Sequence, residues 1–162
     1  MTVLRAFKPA ILPLGVIVAG LALAACSMGG GSSAAIALAP GLAARMDQPG
    51  ASLDRAQAIA MINAYRATSG LPALTPDAAL DGTAQALATQ YAQTGTPPRA
   101  PQDLTVMKLS AGYATFAETF SGWRNSPADA VALKATATKA GVAVAFNPSS
   151  TYGVHWVLVL DE

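Results

Sequence analysis

The sequence predicts an α+β domain built in layers, on three observations. Two helix-period segments follow one another after residue 54 with no strand between them. Two β-rich runs, Val142–Phe146 and Val154–Leu160, close the chain. The full order reads helix, helix, strand, helix, helix, strand, strand, which suits helices layered on a sheet. A doubly wound α/β fold needs a strand between consecutive helices, and the first two lack one.

The N-terminus is read before any fold is counted. Arg5 and Lys8 form a basic leader, and Ile11 to Ala25 is an uncharged apolar run of fifteen residues. That is short of the roughly 20 residues that span a bilayer and fits a signal-peptide core. It ends in Leu23-Ala24-Ala25-Cys26, which resembles a bacterial lipobox, with Cys26 the acylated residue. An ordinary signal peptide cut after Ala25 is the alternative. Cys26 is the chain's one cysteine, so no intrachain disulfide forms, and a thioether there removes a spare thiol from an oxidising compartment. Two or more acyl chains anchor stably where one does not. Ser27 after Cys26 is the outer-membrane pattern of Gram-negative lipoproteins, so the expected location is the cell envelope, facing the periplasm in such an organism.

Charge excludes one partner class. Without Arg5 and Lys8 the chain carries eight Lys+Arg against nine Asp+Glu, and the cations are scattered. No basic stripe favours nucleic acid. The chain divides into a signal segment (1–25), a Gly/Ser/Ala/Pro-rich tether (26–50) and one domain (51–162), large enough for a core without staples. Ile36, Leu38 and Leu42 offer a short docking element within the tether, but its composition favours disorder.

Within the domain, Asp54 to Thr68 carries Ala56, Ile59, Ile62 or Asn63, and Arg66 at helical spacing, with Ser52 or Asp54 as cap and Gly70 as the C′ stop. The second helix is expected to be capped by Thr75 with Pro76 at its first position. Its apolar face is Leu80, Ala84, Leu87, Ala88 and Tyr91, and Gly95 ends it. Leu104 to Ser110 alternates as a strand. Thr115 to Arg124 is a third helix presenting Phe116, Phe120 and Trp123. Pro127 to about Lys134 is a fourth, started at Asn125 or Ser126. The two final runs are expected to pair antiparallel through the NPSSTYG turn. The last is apolar on both faces, as a central strand would be.

Asn63-x-x-Arg66-x-x-x-Gly70-Leu71-x-x-Leu74-x-x-Asp77-x-x-Leu80-x-x-x-Ala84 resembles the opening of bacterial CAP domains (cysteine-rich secretory protein, antigen 5 and pathogenesis-related 1, or SCP-like). Trp123-Arg124-Asn125-Ser126-Pro127, Gly141-Val142-Ala143-Val144 and the Trp156-bearing last strand resemble its second half. The similarity covers about residues 54 to 161 and implies a three-layer α-β-α sandwich with a small antiparallel sheet. It also implies a central cleft whose His and Glu residues hold a divalent metal. This sequence departs at each position. No histidine lies between Tyr91 and Gly112, the Glu-Asn pair aligns with Met107-Lys108, and Asp129 stands at the Ser-Pro-x-His position. A thioether and one carboxylate do not make a zinc site, so neither metal nor cofactor is expected.

The remaining candidates are weighed against plain structural roles. Glu118 reads as a solvated face or a partner of Arg124 or a lysine. His155, the only histidine, shares a strand face with Val157 and Val159 and reads as structural. A Ser-His-Asp set from His155, Asp129 and Ser110, Ser121 or Ser126 lacks a Gly-x-Ser-x-Gly elbow. Trp123, Trp156, Tyr65 and Tyr91 read as core anchors, and Asn63 and Arg66 as hydrogen-bonding groups on the buried side of the first helix. The leading expectation is a lipid-anchored, non-catalytic binding or scaffold module. Its cleft lies between the fourth helix and the loop Thr94 to Asp103, made more apolar by Met107 and open to a small hydrophobic ligand or peptide. A hydrolase or metal-dependent enzyme using relocated Glu118, Asp129 and His155 is the alternative. A purely structural lipoprotein is a third reading.

Overall fold

The structure, a computed structural model, describes residues 39–162. The expected signal segment, Cys26 and the first half of the expected tether lie outside the described residues.

Helix α2 (Arg55–Ala67) starts where Asp54 accepts a hydrogen bond from the Gln57 amide, the N-cap the sequence offers. Its buried stripe is Ala58, Ile59, Ile62 and Arg66; Ala56 is exposed. The C-cap is Thr68, so Gly70, in the left-handed region at φ +69°, turns the chain one residue beyond the expected C′ position. Helix α3 (Ala78–Thr94) is capped by Asp77, whose Oδ1 accepts from the Ala79 and Leu80 amides, and closed by left-handed Gly95. This corrects the expected Thr75 cap with Pro76 inside the helix. Thr75–Pro76 instead forms strand β1, paired parallel with Lys139 and Ala140. Proline has no amide to offer a ladder and fits such an edge.

Strand β2 (Val106–Ala111) leads to α4 (Phe116–Asn125) and α5 (Pro127–Ala132), then β3 (Lys139–Phe146) and β4 (Val154–Asp161). The sheet order is β1-β3-β4-β2, with β4 antiparallel to both neighbours. Strand β4 is therefore central, and Val154 to Leu160 is buried throughout.

Alternation along the strands makes the two faces. Trp156, Leu158, Leu160 and Val142 pack with Ile59 and Ile62 of α2, Phe116, Phe120 and Trp123 of α4, and Leu133. Val157, Val159 and Ala143 pack with Leu80, Ala84, Leu87 and Ala88 of α3. Helices thus cover both faces, as an α-β-α sandwich requires. Helix α3 lies so close to β3 that a Cβ on Gly141 would sit 2.2 Å from the Leu80 carbonyl carbon.

The expected tether is corrected over residues 39–50. A short helix α1 (Pro40–Ala43) buries Leu42, and Met46, 2% exposed, joins the same core. The Gly41 amide donates to Gln57 Oε1 at 3.1 Å and the Met46 amide to the Ala114 carbonyl at 2.8 Å. Leu42 and Met46 are apolar side chains of the kind that override a Gly/Ala-rich composition once a groove is present to receive them.

Candidate functional site

The two positions expected to share a cleft are separated by strand alternation. Met107 pairs across to Val159 and packs under α3. Lys108, one residue on, points to the opposite face and forms an ion pair with Asp129 from the first turn of α5. Met107 therefore does not line a cleft with Asp129, because a one-residue step in a strand reverses the face. The Trp123 indole donates to the Leu109 carbonyl at 3.0 Å, fixing α4 against β2 beside this pair.

Glu118 is used locally. It completes a capping box at the start of α4: the Thr115 hydroxyl accepts from the Glu118 amide, and the Glu118 carboxylate accepts from the Thr115 amide at 3.0 Å. Glu118 is exposed, as the solvated-face reading expects, and its carboxylate serves the cap instead of pairing with Arg124 or a lysine.

His155 is fully buried on the α3 face, its ring 4.5 Å from that of Tyr91. Its Nε2 lies 2.9 Å from the Ser150 hydroxyl. Ser150 belongs to the β3–β4 turn and is none of the expected Ser110, Ser121 and Ser126. The same hydroxyl is 3.0 Å from the Asn147 carbonyl and accepts from the Gly153 amide. The hydroxyl has one hydrogen for two acceptors, the Asn147 carbonyl, which also accepts from the Ser150 amide, and Nε2, and the tautomer of His155 follows from which of them takes it. No carboxylate bonds the other ring nitrogen, so the pair lacks the orienting acid of a Ser-His-acid set. Nδ1 is buried with no hydrogen-bond partner. Burial holds the imidazole below its ordinary pKa.

Glu118, Asp129 and His155 are thus each committed elsewhere, with Asp129 and His155 on opposite faces of the sheet. Among the described residues no three His, Cys, Asp or Glu side chains group as metal ligands. The donor set does not fit the divalent cation that the resemblance implies.

The resemblance residues of α2 hold the fold. Asn63 mimics a strand partner, donating to the Leu74 carbonyl and accepting from the Leu74 amide. Arg66, 1% exposed, donates to the carbonyls of Pro72, Leu133 and Ala135, and burial lowers its pKa.

An open apolar groove of about 420 Å³ runs between α2 and α4. Met61, Ala64, Tyr65 and Thr68 line one wall, and Ala117, Phe120, Ser121 and Arg124 the other. Each set recurs at i, i+3, i+4 and i+7, one stripe of a helix. Tyr65 meets Phe120 edge-on at 5.8 Å, and the Lys134 ammonium lies 5.0 Å from the Tyr65 ring centre. Arg124 and Lys134 form no ion pair among the described residues. Among the described residues this groove is an apolar concavity, and it lies elsewhere than the expected space between α5 and the loop Thr94 to Asp103. Tyr65 is therefore a wall residue as well as a core anchor. The sequence signal was the second stripe on α2, offset from the buried one.

Comparison with known proteins agrees with this architecture. The profile of the CAP family, described as the cysteine-rich secretory protein family, matches residues 59–160. A crystal structure of MpPR-1i soaked with selenourea superposes with a TM-score of 0.53 at 22% identity, covering 64% of this chain and 86% of that one. An outer surface protein from Borrelia burgdorferi gives 0.53 at 19% identity, over 64% and 89%. A further MpPR-1i crystal structure gives 0.50 at 20% identity, over 65% and 83%. A search of curated proteins found no match.

Proposed function

Because the chain belongs to the cysteine-rich secretory protein (CAP) family and its polar positions are tied into the fold, we propose that it is a non-catalytic binding module of the cell envelope. Its anchor is the acylated Cys26, and its guest is an apolar molecule or peptide side-chain cluster held between α2 and α4. The groove carries the reading: two facing stripes enclose about 420 Å³, the size range of small-molecule sites. Arg124 and Lys134 at its edge suit a guest whose apolar body ends in an anionic group. Anchoring rests on the Leu23-Ala24-Ala25-Cys26 pattern, and an envelope location is in keeping with the name of the Borrelia neighbour.

The test fills the groove. Ala64→Trp and Ala117→Trp place bulk on walls where the native side chain is a methyl group. Binding of an environment-sensitive fluorescent acyl probe should weaken at least about tenfold, or 1.4 kcal/mol, with the melting temperature held. Unchanged probe binding in both variants would refute the groove as the site. Anchoring is checked separately: Cys26→Ser should move the protein from the membrane to the soluble envelope fraction.

A further inference from the structure

The resemblance implies a divalent cation, and the donors among the described residues cannot supply its ligands. The side chain that does face Asp129 is itself a cation. Lys108 and Asp129 meet between β2 and α5 with side chains 19% and 25% exposed, the most enclosed ion pair among the described residues. Asp129 stands where the resemblance puts a metal-binding histidine, and Lys108 within the two residues aligned with the Glu-Asn pair.

We infer that the Lys108 ammonium supplies, from within the chain, the positive charge that the resemblance assigns to a divalent ion. A tethered ammonium opposite a lone carboxylate excludes a metal in two ways. It occupies the carboxylate as an ion-pair partner, and it repels a second cation from the same enclosed space. The domain is then independent of metal supply by construction. Its β2–α5 contact stays closed whether the surroundings are metal-rich or metal-poor. Asp129 alone is one weak oxygen ligand, and Lys108 already occupies it. Removing the ammonium uncovers an oxygen ligand of the kind that takes hard cations such as Mn²⁺. This inference does not depend on the groove and fails separately from it.

The experiment uses the full mature chain and Mn²⁺ alone. Binding is followed by loss of the free-ion electron paramagnetic resonance signal, and stability by thermal melting in Mn²⁺ or in EDTA. The wild type should melt identically in both and leave the free-ion signal unchanged. Lys108→Glu sets two carboxylates face to face, and should bind Mn²⁺ at least about tenfold more tightly than the wild type. It should also melt higher in Mn²⁺ than in EDTA. Asp129→Asn in that background should remove both effects. If Lys108→Glu does not fold in EDTA, Lys108→Gln uncovers Asp129 without adding repulsion and should still bind Mn²⁺ more tightly than the wild type. Asp129-dependent Mn²⁺ binding by the wild type, or no gain in either Lys108 variant, would overturn the inference.

Discussion

Acidification should destabilise this protein through its one histidine. His155 is fully buried, its Nε2 lies against the Ser150 hydroxyl, and Nδ1 has no partner. The doubly protonated ring would place a charge, and an Nδ1–H with no acceptor, in the α3 face of the core. Burial therefore lowers the folded-state pKa below the ordinary 6.5, which the unfolded chain retains. The unfolded chain takes up the proton first as pH falls, so stability is full above about pH 6.5 and declines below it, until the folded pKa is reached. One proton sets a ceiling of about 1.4 kcal/mol per pH unit, and the loss between pH 7.5 and 5.5 is at most about 1.4 kcal/mol. Urea unfolding followed by fluorescence of the buried Trp123 and Trp156 measures it. His155→Phe is the control, since Ser150 keeps its bonds to Asn147 and Gly153 in that variant. Subtracting the variant's pH profile removes the contribution of the carboxylates. Identical slopes in the two proteins, or a wild type that gains stability on acidification relative to His155→Phe, would refute the argument.

Three further substitutions probe separate links between sequence and fold. Arg66→Met strands the carbonyls of Pro72, Leu133 and Ala135 and should cost about 3 kcal/mol or more in urea unfolding; Arg66→Lys should recover only part, lacking the planar fork. Gly141→Ala drives a methyl group into the Leu80 backbone and should cost about 3 kcal/mol, whereas Gly82→Ala on α3 meets nothing within 4 Å and should stabilise that helix by up to about 1 kcal/mol. The opposite order of those two melting temperatures would contradict the close approach of α3 to β3. Met46→Ala should cost about 2–5 kcal/mol if residues 39–50 are part of the core, and nothing measurable if they are a tether.

Much of the architecture was legible locally. The apolar face Leu80, Ala84, Leu87, Ala88 and Tyr91 is buried as its spacing demands, and the antiparallel pairing of β3 with a central β4 follows from the two closing runs. Asn63 and Arg66 take the buried hydrogen-bonding roles expected of them. Signals of this kind reside within a few residues of chain, in helical spacing, capping chemistry and strand alternation. Tertiary structure decided the rest. Thr75–Pro76 joined the sheet because Lys139–Ala140, distant along the chain, presented an edge. Met107 and Lys108 parted because β2 took its register from β4, and one-residue parity determines which side chain meets Asp129. Ser150 found His155 through a turn whose geometry no spacing specifies. The α2–α4 groove exists because two stripes, each ordinary alone, face each other across a gap set by the packing of both helices on one sheet. Sequence by itself determined the longer helices and the closing strands and the faces they bury, but not α1 or β1. Which side chains meet, and where space is left between them, depended on register and helix packing, which are properties of pairs of segments distant along the chain.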